Sequence, residues 1–220
     1  MSNNQNTSHA VMAQRHEPAD SLDDFPTPPW ATRALCKFLL FNGLIEDNEI
    51  VVEPACNRGH MVKALREYFC VIPSDIHDYG CGFDVQDYLT SVKILVPWTI
   101  TNPPFRLAEE FFKTARERST KGVAFFVRTA FLESVGRYNG IFANDQPSHI
   151  LQFSERVVLH KGKLAPKGST ATAYCWVIWT PIKHPAQQAV FRWIEPCRKR
   201  LERESDYEEP AHLNTPNNNQ

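Results

Sequence analysis

Short apolar runs alternate with helical spacings from residue 50 to residue 127, and this alternation restricts the chain to a parallel sheet covered by helices. Ile50-Val51-Val52 is followed by Met61, Val62, Leu65 and Phe69 at helical spacing, then by a second run from Cys70 to Asp75. Val51 to Asp75 is the length of one βαβ unit, whose crossover takes a dozen or more residues. The runs Val96 to Thr101 and Val123 to Val127 repeat the pattern. Between them the spacing predicts a helix from Leu107 to about Arg118, with Leu107, Phe111, Phe112 and Ala115 inward. A short strand is expected near Phe83. Strands that alternate with helices in this way read as an α/β fold.

The flanks are less regular. A helix is predicted to start at Thr27, a good N-cap, with Pro28 and Pro29 in its first turn and an apolar face of Trp30, Leu35, Phe38 and Leu39 that stops before Gly43. After Arg128 the alternation ends. Residues 129–148 are irregular with a short helix, and Glu155 to His160 and Thr172 to Thr180 read as two strands joined by a polar loop, a hairpin at the sheet edge. Trp176 and Trp179 are odd-spaced and fall on opposite faces, at least one in the core. Val190 to Ile194 reads as a brief strand or helical turn, and Pro196 to about Arg203 as a basic helix with a solvated face. Residues 1–24 and 204–220 are polar and aperiodic, and are expected to be a disordered N-terminal arm and an acidic, Asn-rich tail around one domain at 25–203.

The formal net charge is −1, so nucleic-acid affinity would have to come from a local patch. The six cysteines form no C-x-x-C pair and are read as reduced thiols of a cytoplasmic protein, with no metal site expected. No apolar run is long enough for a membrane span.

Chemistry concentrates where the run Val96 to Thr101 ends, in Asn102-Pro103-Pro104-Phe105. Both prolines fix φ near −65° and lack an N–H, and a residue before proline is pushed out of the α region. Asn102 is therefore held extended, with two carbonyl acceptors, its own side chain and the Pro103 backbone, beside an aromatic face. On its own the tetrapeptide reads equally well as a proline-rich turn. Its companions favour a site. The Glu53 to Gly59 loop opens a helix straight after a first strand, where a doubly wound sheet binds its cofactor, and Asp75 stands at the end of the second strand where a carboxylate accepts from ribose hydroxyls. Asp87 follows, placed to accept from an adenine amino group. His77 and His160 have no second ligand at metal spacing.

Glu53-Pro54-Ala55-Cys56-Asn57-Arg58-Gly59, then Asn102-Pro103-Pro104-Phe105, with Thr27-Pro28-Pro29-Trp30 upstream, resemble the adenine-N6 DNA methyltransferases, in the motif order of their gamma class, as in small stand-alone phage and prophage enzymes. The resemblance covers about Phe25 to Thr180. It implies a class I S-adenosylmethionine-dependent fold with a Rossmann-like seven-stranded sheet whose last strands form the hairpin. It implies that Thr27 and Pro28 line the methionine end of the cofactor together with Glu53, Pro54, Ala55 and Gly59, that Asp75 and Ile76 meet ribose and adenine, and that Asp87 and Tyr88 meet the adenine amino group. Asn102, Pro103, Pro104 and Phe105 become the catalytic set, with Asn102 also beside the cofactor. DNA is the implied partner, its phosphates expected at Arg128, Arg137, Lys161, Lys163 and Lys167, with Arg156 nearby. Alternatives kept open are an RNA base or protein glutamine as acceptor, and a degenerate methyltransferase fold that only binds nucleic acid. The last is motivated by Asn57, which stands where the family carries glycine or another small residue. Many restriction-type members also have a large C-terminal recognition domain, so a specificity partner, a homodimer or residues 129–148 are expected to supply target choice.

Overall fold

The computed structural model describes residues 23–181 and 188–208. Its core is an eight-stranded mixed sheet in the order β3-β2-β1-β4-β5-β7-β6-β8. Strands β1 (Ile50–Glu53), β2 (Cys70–Asp75), β3 (Asp84–Val85), β4 (Val96–Thr101) and β5 (Ser119–Arg128) run parallel to one another. β7 (Tyr174–Trp179) enters antiparallel between β5 and β6 (His149–Phe153), and β8 (Val190–Ile194) adds parallel to β6.

Helices cover both faces. α1 (Pro29–Phe41) and α2 (His60–Leu65) pack Trp30, Leu35, Leu39, Met61 and Leu65 against Trp98, Ile100, Phe126 and Trp176. α3 (Ala108–Arg118) packs Phe111, Phe112 and Ala115 against Phe125, Val177 and Trp179 on the other face. Both Trp176 and Trp179 are therefore core, and each indole N–H is answered, by Ala31 O and Asp145 O at 3.0 Å. No described helix is long and apolar enough to cross a membrane.

One glycine is required by this packing. A Cβ on Gly122 of β5 would lie 2.3 Å from the Trp98 ring of β4. Overpacking typically costs about 1–3 kcal/mol, and Gly122→Ala is expected to lower the urea midpoint accordingly at an unchanged slope.

Five expectations are corrected, the first being strand number: the sheet has eight strands and not seven, because Val190–Ile194 joins it as β8. The partner of β7 is His149–Phe153, where the apolar residues alternate less cleanly, and not Glu155 to His160, whose Val157 to Leu159 are buried as loop. The hairpin is not the sheet edge, because β8 lies outside it. Thr27 does not cap α1: Pro28 occupies the N-cap position, and the Thr27 hydroxyl is engaged elsewhere. Residues 204–208 are structured, with a 3-10 turn at Glu204–Tyr207 that buries Asp206 against Arg33. Beyond α4 (Val135–Arg137), a π turn at Tyr138–Phe142 completes the irregular segment, and α5 (Arg198–Leu201) is the short remnant of the expected basic helix. The ends of the predicted arm and tail, 1–22 and 209–220, lie outside the described residues.

Candidate active site

An open cleft lies beyond the carboxyl ends of β1, β2 and β4, where open α/β sheets bind their ligands. Its walls bring together Thr27, Glu53, Pro54, Ala55, Asp75, Ile76, Asp87, Tyr88, Asn102 and Pro104 from the predicted set. Pro28 and Gly59 stand behind it as the N-cap residues of α1 and α2. Gly59 adopts φ +86 and has no room for a Cβ against Phe83, so it makes the turn and the packing possible.

Glu53 ends β1 and is buried. Its Oε1 accepts from the Thr101 hydroxyl at 2.5 Å and the Ala55 N–H at 3.2 Å, while Oε2 has no hydrogen-bond partner. Burial pushes its carboxyl up to about 8, against weaker opposing hydrogen bonds, so it carries a proton at neutral pH. Asp75 ends β2 and accepts from the backbone N–H of Asn57 (2.8 Å) and of His77 (3.0 Å); burial raises its pKa as well. Asp87 accepts from Leu89 N–H and the Thr90 hydroxyl in its own turn, and Tyr88 is buried on Phe111.

Asn57 holds φ +51, a left-handed conformation that asparagine tolerates better than most residues. Its side chain is pinned, donating to Asp24 Oδ1 at 2.7 Å and accepting from Arg58 N–H at 2.6 Å. This is a physical reason for asparagine at a position that suits glycine.

Asn102 leaves β4 with its amide fixed. Nδ2 donates to the Phe25 carbonyl at 3.1 Å and to the Thr27 hydroxyl at 3.0 Å. A carbonyl can only accept, so the nitrogen must face Phe25 and the oxygen must face away. That oxygen, Oδ1, is buried without a partner. Pro103 is buried, and the Phe105 ring contacts both Phe25, centroids 5.5 Å apart, and the Arg128 guanidinium, 3.9 Å over its centroid.

Asp23, Asp24 and Phe25 were invisible as site residues. The segment Asp23–Thr27 crosses the site as a strap: Asp23 accepts from Phe105 N–H at 2.6 Å, Asp24 pairs with Arg58 at 2.9 Å, and Asp24 O accepts from Gly162 N–H at 2.8 Å. Asp23 and Asp24 thus belong to the site and not to a disordered arm. The Gly162 bond also carries the exposed Lys161–Lys167 loop to the rim of the site. Of the predicted phosphate-binding residues, Arg128 stacks on Phe105, and Lys161, Lys163 and Lys167 are exposed on the loop that Gly162 ties to Asp24. Arg137 is not available in the same way: it faces Glu109 at 3.4 Å, donates to the carbonyls of Ala130, Phe131 and Glu133, and covers the Phe131 ring.

No family model matches the sequence, and no curated protein matches it. Solved structures do. A candidate class I S-adenosylmethionine-dependent methyltransferase from Listeria monocytogenes aligns with TM-score 0.61 at 12% identity over 81% of this chain and 68% of its own. The methyltransferase subunit of a type I restriction-modification system from Streptococcus thermophilus aligns with TM-score 0.57 at 9% identity over 84% of this chain, which spans 50% of that subunit. A candidate RNA methyltransferase from Pyrococcus horikoshii aligns with TM-score 0.52 at 17% identity, over 75% and 91%. Strand order, cleft position and these likenesses together give the chain the fold of the class I S-adenosylmethionine-dependent methyltransferases.

Proposed function

We propose that this chain transfers a methyl group from S-adenosylmethionine to the N6 amino group of adenine in DNA. The single observation that carries the reading is the buried, unpartnered Oδ1 of an Asn102 amide whose nitrogen is fully engaged behind it. Such an oxygen is an acceptor held ready for an N–H donor, and a planar exocyclic amino group is the donor that fits beside prolines and an aromatic ring.

The cleft suits the cofactor. Glu53 Oε2, buried and unpartnered, is complementary to a cationic ligand, and Asp75, Ile76, Asp87 and Tyr88 line the far end for ribose and adenine. S-adenosylmethionine supplies the methyl group as an electrophile. The rest is the work of the protein. The N6 lone pair of adenine is conjugated into the ring and nucleophilically weak. Donating N6–H to Asn102 Oδ1 and to the Pro103 carbonyl favours a pyramidal nitrogen and aims its lone pair. As N6–CH3 forms, the S–CH3 bond breaks to leave S-adenosylhomocysteine, and the cationic base then loses an N6 proton to solvent. Catalysis is positioning and electrostatics and needs no strong base. In a duplex the base must first be flipped out, at about a few kcal/mol, which stacking of about 1–3 kcal/mol on an aromatic ring offsets in part. The choice of DNA draws support from the type I modification subunit among the similar structures and from the lysine-bearing loop at the rim. Because the chain spans half of that subunit, a specificity partner or a second copy is part of the proposal.

Purified protein with tritiated S-adenosylmethionine, offered DNA, RNA and protein in parallel, tests the reading. Label recovered from DNA as N6-methyladenine is the expected result; label only in RNA or protein overturns the choice of acceptor. Two further outcomes are expected. Thr27→Val, which removes one acceptor behind the Asn102 amide, lowers kcat about 3- to 10-fold, in line with a net hydrogen bond of about 1 kcal/mol. Thr27→Ser restores it. Glu53 gives a pH signature. A carboxyl raised to about 8 favours the folded, empty state below its ordinary value of 4.5, and that contribution fades as pH rises through 8. A cationic ligand beside it pulls the carboxyl back down, so cofactor binding at pH 7 releases close to one proton. Titration calorimetry in buffers of different ionisation enthalpy reads this release, and Glu53→Gln eliminates it.

A further inference from the structure

We propose that Arg128 occupies the acceptor's seat in the free protein and that the incoming adenine displaces it onto a backbone phosphate of the DNA. The inference rests on the methyl-transfer reading above and adds a step to it.

The guanidinium carbon of Arg128 stands 3.9 Å over the centre of the Phe105 ring, a stacking distance that leaves no space for a base on that face. A guanidinium is planar and weakly hydrated, and covers an aromatic ring much as a base does. The second group on Phe105 cannot make way. Phe25 is buried, its backbone N–H bonds to Asp23 O and its carbonyl holds the Asn102 amide. Arg128, by contrast, stands on a long stem at the end of β5, and its Nε is buried with no hydrogen-bond partner. Of the two covers, Arg128 is the one that can leave.

Topology puts this cover on the side an acceptor must use. The tetrapeptide ends β4; β1 and the cofactor-type cleft are on one side of it, β5 and Arg128 on the other. Electrostatics then requires departure before reaction. Transfer of a methyl cation places positive charge on the base, and a guanidinium at stacking distance opposes it. A phosphate of the bound strand offers the displaced guanidinium a charge-assisted pair. One exchange thus couples loading of the base to a grip on the backbone.

The test uses Arg128→Ala and Arg128→Lys with two ligands. Tritiated adenosine, which has no phosphate, is offered in equilibrium dialysis at saturating S-adenosylhomocysteine, whose uptake is measured in the same samples. DNA of mixed sequence is offered across a salt series. Emptying the seat is expected to tighten adenosine at least threefold in Arg128→Ala while DNA binding weakens and its salt slope drops by about one phosphate. Arg128→Lys, which keeps the charge and loses the flat stack, shares the gain for adenosine and keeps the salt slope. Should the alanine variant not fold, the lysine variant carries the adenosine arm. Adenosine uptake that does not improve, or an unchanged salt slope in folded Arg128→Ala, overturns the exchange. Absence of S-adenosylhomocysteine uptake by the unmodified protein instead sinks the methyl-transfer reading beneath it.

Discussion

Asn102→Ala reduces methyl transfer about 10²- to 10³-fold, the loss seen when one preorganised hydrogen-bonding group aimed at the reacting atom is removed. The substitution deletes the buried Oδ1 and leaves the Phe25 carbonyl and Thr27 hydroxyl without the donor they share. Unpaired buried acceptors cost about 1–3 kcal/mol, so the variant is also less stable, and the two effects must be separated. Cofactor affinity does so. Glu53 and Asp75 are untouched, and S-adenosylmethionine is expected to bind with nearly unchanged affinity while single-turnover transfer collapses. Equal losses in binding and in transfer would mean that the substitution had damaged the cleft, and the catalytic assignment of Asn102 would fall.

Arg33→Ala is the largest stability change to expect. Arg33 is fully buried on α1, and all five of its N–H donors are answered. Nε and Nη2 meet the Glu67 carboxylate at 2.9 and 2.8 Å, Nη1 and Nη2 meet Asp206 at 2.7 Å each, and Nη1 also reaches Leu201 O at 2.7 Å. Removing Arg33 costs about 3–5 kcal/mol because the Asp206 carboxylate stays buried without its partner, a large part of the about 5–15 kcal/mol that holds a domain together; Glu67 is partly exposed and keeps Arg203. Equilibrium urea unfolding measures the loss. Arg33→Lys recovers little of it, since an ammonium cannot match a planar fork with five donors. A loss under about 1 kcal/mol for Arg33→Ala, taken as the midpoint shift times the slope, would show that the network contributes far less than its geometry implies.

Why some of this was legible in the sequence and some was not follows from range. β1, β2, β4, α3 and β5 could be read because each is a single periodic run, and the βαβ spacing fixes their parallel order. The tetrapeptide could be read because two prolines dictate its backbone. β6 was missed because the continuous apolar triplet Val157 to Leu159 is a stronger local strand signal than His149–Phe153, and only pairing with β7 separates them. The strap was missed for another reason. Asp23 and Asp24 look like solvated charge, and nothing local says that their partners are Phe105, Arg58 and Asn57. The ordered tail has the same cause: Asp206 meets Arg33 across 173 residues. Arg128 was expected at phosphate; its place on Phe105 depends on β4 and β5 ending side by side.

The strap also sets an order of events in the making of the molecule. Its bonds to Thr27's and Phe25's partner, Asn102, and to Phe105 close loops of 75 to 82 residues, and its bond to Gly162 closes a longer one. Residues 23–27 leave the ribosome before the strands they will touch exist. Contacts of such long range form only after the intervening chain has lost its freedom, so the β1-β4-β5 sheet condenses first and the strap docks onto it late. The acceptor oxygen of Asn102 acquires its fixed direction only when the strap docks, so competence for chemistry follows the condensation of the sheet that carries it.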